Sequence, residues 1–145
     1  MTRLLVGLLM VGVLAGCGDS PEDVRADYCE RVEDNQVALT EALAEDDPDA
    51  LLAALPIFRE LAEDPPRDIE DDWNAFIDAL EGLAEALEGA GVDAASYDAD
   101  QPPADVTEEE QDAIAAAADE LFGVSDAFEG VKQQAKDVCK TPLYQ

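Results

Sequence analysis

Apolar residues recur at three- and four-residue spacing along most of the chain, which predicts amphipathic helices and no sustained β alternation. Ser20-Pro21-Glu22-Asp23 reads as a helix start, with Ser20 as N-cap, Pro21 at the first position and acids in the first turn. Val24, Tyr28, Val32, Leu39 and Leu43 then mark one face. Asp47-Pro48-Asp49 ends that run or restarts it. Leu51, Leu52, Leu55, Phe58 and Leu61 form a second stripe, and Pro56 inside it predicts a kink or two short pieces. Pro65-Pro66 opens a third helix, whose buried face is Trp73, Phe76, Ile77, Leu80, Leu83, Ala84 and Leu87; Gly89 and Gly91 stop it. Residues 92–106 read as a loop.

Thr107-Glu108-Glu109-Glu110 resembles a capping box, with Thr107 the N-cap and Glu110 at N3. Ile114, Ala118, Leu121, Ser125, Phe128, Ala135 and Val138 give the last face, and Lys132, Lys136 and Lys140 suit the helix's negative end. Gly82, Gly123 and Gly130 each lie two residues after a core position, so they point outward. Either the last helix breaks there, with Ser125 capping a restart, or a partner or second copy approaches closely. Four amphipathic segments with fairly short links predict an all-α fold: an antiparallel bundle of about four helices.

The first residues change the picture. One charge at Arg3 precedes Leu4–Ala15, apolar apart from two glycines and too short to span a bilayer of roughly 30 Å. The run ends in Leu14-Ala15-Gly16-Cys17, which resembles a lipobox. It implies a signal peptide over residues 1–16 recognised through Leu14, Ala15 and Gly16, a lipidated Cys17 with a tether to Ser20, and a helical domain over 21–145. Acyl chains at about 0.8 kcal/mol per buried CH₂ anchor stably when there are two. The expected location is the outer face of the cytoplasmic membrane, with the membrane as partner through the Cys17 lipid.

Of three cysteines, Cys17 goes to lipid, which leaves Cys29 and Cys139. An oxidising exterior favours pairing them, a free reactive pair being the alternative. In an up-down-up-down bundle the start of the first helix and the end of the fourth share one end, so the pair can meet. The bridge would close a loop of roughly 110 residues and add at most about 4–5 kcal/mol.

A 16-residue leader taken from 145 residues leaves 129, one domain's worth, with 36 acids against 7 bases once Arg3 is gone. That balance argues against nucleic acid and against flat contact with anionic lipid. With 48% hydrophobic residues the chain is not a disordered polyanion.

Taken together, the lipobox, Tyr28-Cys29, Pro65-Pro66, Asp72-Trp73 and Val138-Cys139 resemble small, acidic, alanine-rich helical lipoproteins of high-GC Gram-positive, actinobacterial type. The resemblance implies fold and location and carries no activity.

Candidate chemistry is sparse. The chain has no histidine, which removes Ser-His-Asp and Cys-His nucleophiles, Glu-x-x-His di-iron motifs and most zinc sites. Ser20, Ser96 and Ser125 lack a nucleophile-elbow setting. Asp93, Asp98, Asp100 and Asp105 crowd the long loop and invite calcium. Counted from Asp98, however, the fifth and sixth positions of an EF-hand loop are Pro102 and Pro103. Trp73, in heptad spacing with Leu80 and Leu87, reads as core. The expectation is a non-catalytic binding or interaction module without a cofactor or metal, taking an unknown protein or small-molecule partner. The alternative is a calcium-binding or ion-buffering surface protein.

Overall fold

The computed structural model describes residues 20–44 and 49–145, and among them every regular element is helical. The elements are α1 (Pro21–Ala42), α2 (Ala50–Ala53), α3 (Leu55–Leu61), α4 (Glu70–Gly89), α5 (Glu108–Gly123) and α6 (Ser125–Gln134). A short 3-10 turn (Ala94–Ser96) sits in the long loop, and a π-helical turn (Ala135–Cys139) continues α6. The leader and the Asp47-Pro48 break lie outside the described residues.

Local signals place most boundaries. Ser20 caps α1 and Thr107 caps α5, each in a full capping box, the first with Asp23 and the second with Glu110. Pro56 does split the second segment: it occupies the first turn of α3, where its missing N–H leaves no helical bond unmade. Gly91, at φ +67°, ends α4 in a Schellman motif, with the Val92 amide donating to Leu87 O and the Gly91 amide to Glu88 O.

The third helix starts later than Pro65-Pro66 suggests. Pro66 pushes Pro65 out of the helical region, and the Ile69 amide closes a turn on Pro66 O at 3.0 Å before α4 begins at Glu70. The last helix breaks at Val124, between α5 and α6, but Ser125 makes no side-chain cap there. Gly82 and Gly123 have open space beside them, whereas Gly130 does not point outward. A Cβ at Gly130 would meet an Asp72 carboxylate oxygen at 2.7 Å, so the close approach is by α4 of the same chain.

Packing makes these segments a bundle of four columns: α1, then α2 with α3, then α4, then α5 with α6. α1 packs on α3 and on the π turn, α3 packs on α4, and α4 packs on both α5 and α6. Tyr28, Val32 and Leu39 meet Phe58, Leu61, Trp73, Phe76, Leu80, Val131 and Ala135 in one buried cluster. Phe58 stands edge-on to Phe76 at 5.1 Å, and Phe76 stacks on Phe128 at 4.2 Å. Each large side chain buried here contributes roughly 1.5–3 kcal/mol.

The last face differs from the expected one. Val131 and Gln134 are buried, Ser125 is exposed and Val138 is 38% exposed. The π turn rotates its residues off the helical register, turning Val138 outward and Cys139 toward α1. Gln134, only 8% exposed, has no hydrogen-bond partner on either amide atom. At Lys140, φ 60°, the chain reverses and residues 140–145 run back along α1 as a strap. Gln36 Nε2 donates to Pro142 O at 2.7 Å, and the Gln145 amide donates to Thr40 Oγ1 at 3.0 Å. Leu143 is buried, and Tyr144 stacks on Phe128.

Candidate functional site

The chemistry-bearing residues gather at the end of the bundle where α1 begins. Leu14, Ala15, Gly16 and Cys17, the residues expected to form the lipobox, lie outside the described residues; Ser20 is the first residue with a described role. Its Oγ accepts from the Asp23 amide at 3.2 Å, and the Asp23 carboxylate accepts from the Ser20 hydroxyl at 2.7 Å and the Ser20 amide at 3.2 Å. The Ser20 hydroxyl, then its amide, hold the Asp23 carboxyl below the usual carboxylate range. Four residue steps from Cys17 to Pro21 reach at most about 14 Å.

Cys29 and Cys139 are joined, with Cα atoms 5.1 Å apart across 110 residues of sequence. Both are partly buried against the core. Each had a residue beside it expected on the apolar face. Tyr28 is buried, but Val138 faces out. Trp73 is core, with no exposed surface, and its Nε1–H donates to Tyr28 Oη at 3.2 Å. Burial pushes the Tyr28 phenol up to about 12; the Trp73 hydrogen bond and the nearby Arg31 charge oppose that shift without cancelling it.

Beside these residues lies an open groove of about 950 Å³, between the first turns of α1 and the residue 62–70 link before α4. Its rim includes Arg25, Arg31 and Arg67. Arg31 is committed to the fold: its Nη2 donates to the carbonyl oxygens of Glu63 and Asp64, at the end of α3. Those carbonyls have no helical partner, and Asp64 at φ 48° turns the chain there. Arg25 and Arg67 make no ion pair among the described residues. Asp27, Asp64, Asp68 and Glu70 line the same groove, so its charge favours neither sign. Sequence reading missed this groove and the role of Arg31, whose acceptors lie more than thirty residues away.

Two of the four loop aspartates are spent on local turns. Asp93 accepts from the Ala95 amide at 3.0 Å, and Asp98 from the Asp100 amide at 2.9 Å. Among the described residues no three carboxylates or cysteines converge as a metal ion would need. Ser96 donates to Asp93 O at 3.1 Å. No family model, curated protein or solved structure matches this chain.

Proposed function

We propose that this chain is an exported lipoprotein, held by lipid on Cys17 at the outer face of the cytoplasmic membrane, and that its helical domain is a non-catalytic binding module there. The observation that carries the reading is Leu14-Ala15-Gly16-Cys17 at the end of a charged start and a short apolar run. The paired Cys29 and Cys139 fit an oxidising compartment. Among the described residues no helix is long and apolar enough to cross a membrane, so the lipid would be the attachment. The resemblance to actinobacterial-type lipoproteins belongs to the same proposal. For a binding surface the reading points to the groove beside Arg25 and Arg67, next to the tether. Cys17→Ser tests it: the variant should accumulate as uncleaved precursor or as protein that leaves the detergent phase. A Cys17→Ser protein that partitions like wild type would overturn the anchoring.

A further inference from the structure

The segment before Cys139 carries the apolar pattern of one helical register and adopts another. Val124, Phe128, Val131, Ala135 and Val138 follow one another at alternating four- and three-residue spacing, the pattern of a single buried α-helical stripe. Counting about 100° per residue from Val131, an unbroken α-helix puts Val138 within about 20° of it and Cys139 about 80° away. The structure shows the opposite arrangement. Residues 135–139 form a π turn, which winds fewer degrees per residue, so Cys139 comes round to face Cys29 and Val138 is left 38% exposed. The buried Gln134 amide, with neither atom paired, immediately precedes this turn.

The strap depends on the same register. It leaves the π turn through Lys140 in the left-handed conformation, where Lys140 Nζ donates to Asp137 O at 2.5 Å. It is then held on α1 by the Gln36–Pro142 and Thr40–Gln145 hydrogen bonds and by the buried Leu143. Rewinding 135–139 as α-helix adds rotation over these five residues and turns the exit of the strap away from those partners.

We propose that the Cys29–Cys139 bond is a register lock. Closed, it holds the π turn, keeps Val138 out and lays residues 140–145 along α1. Opened, the segment relaxes into continuous α-helix with Val138 inward, and the strap leaves α1, uncovering the slot that Leu143 fills. The opening step is thiol–disulfide exchange with a dithiol. One thiolate of the reductant attacks a cystine sulfur, and its second thiol resolves the mixed disulfide. Cys29 and Cys139 finish as thiols, having gained two electrons and two protons, and the reductant leaves as a disulfide.

The experiment compares the exported chain in oxidised and phosphine-reduced form, alongside the Cys29→Ala/Cys139→Ala variant. Hydrogen exchange read by mass spectrometry should show the amides of Leu143, Tyr144 and Gln145 exchanging at least about tenfold faster without the bond and close to the rate of an unstructured segment, while Trp73–Leu80 remains the slowest-exchanging stretch of the chain. Val138→Asp is the sharper probe. It should move the melting midpoint by less than about 2 °C in the oxidised chain and lower it by more than about 5 °C in the reduced one, where the position is buried. An equal Val138→Asp effect in both forms, strap protection unchanged on reduction, or loss of the whole helical circular-dichroism signal on reduction would each overturn the proposal. The last outcome would make the bond the closure of the entire bundle and not a local lock.

Discussion

The end of the bundle where α1 begins and the end formed by the α4–α5 connection are held together by different physics. The first contains the only disulfide among the described residues and the Tyr28–Trp73 hydrogen bond, beside a packed cluster of Phe58, Trp73, Phe76 and Phe128. The second contains α5, where only Ile114 is buried, Ala113 and Ala115–Ala118 supply most of the middle, and Phe122 is 77% exposed. Helix propensity and caps do more there. Alanine is the best helix former, the Thr107 box satisfies the first amides, and Gln111 Nε2 donates to Val106 O at 3.0 Å. Charge follows the same division. From residue 68 to residue 131 the chain has no lysine or arginine, so the far end has acids with no cation of its own to pair with, apart from the Arg59–Glu81 bridge from α3. Glu108, Glu109 and Glu110 sit at the start of α5, where the helix dipole favours them. A fold can thus be secured at one end by burial and cross-linking and left at the other to local helix preference.

Removing the disulfide should have the largest effect. Cys29→Ala/Cys139→Ala is expected to lower unfolding stability by up to about 4–5 kcal/mol in denaturant titration, an upper figure because the unfolded chain keeps some structure. Core truncation then separates the two ends. Trp73→Ala should cost about 3–5 kcal/mol and Ile114→Ala about 2, because the thin α4–α5 layer can close over the gap. Equal costs would break the comparison. The Tyr28 phenol adds a pH signature. Its ordinary value of 10.0 rises to about 12 in the fold, so its contribution is complete below pH 10 and is lost as pH rises through 12. Wild type should therefore lose roughly 2–3 kcal/mol more than Tyr28→Phe between pH 9 and 12. Smallest is the cap: Thr107→Ala should cost about 1 kcal/mol, and hydrogen exchange should rise in the first turn of α5 before it rises in the core.

What the sequence makes legible is what is local or countable. Capping boxes, the Pro56 break, the Gly91 stop and the heptad run of Trp73, Leu80 and Leu87 are decided within one or two helical turns. The Cys29–Cys139 pair follows from parity once Cys17 is set aside. What escaped depends on distant partners. The π turn exists where Cys139 meets a residue 110 positions away, so the local pattern favours Val138. Gly130 faces inward because Asp72 of α4 lies against it, and the strap has no periodicity of its own to read. Arg31 carries no local sign that it will bind the carbonyls ending α3. At the site, Leu14-Ala15-Gly16-Cys17 can be proposed as a lipobox because such a motif is linear, whereas the groove is assembled from α1 and the 62–70 link and is visible only in three dimensions.

Every part of this reading that concerns location rests on Cys17, and one measurement addresses it: the mass of the N-terminal peptide of the chain recovered from membranes. The peptide should begin at Cys17 and carry a diacylglyceryl group on sulfur, with or without a further acyl chain on the new amino terminus. A peptide that begins at Met1, or one that begins elsewhere with an unmodified cysteine, would contradict the account.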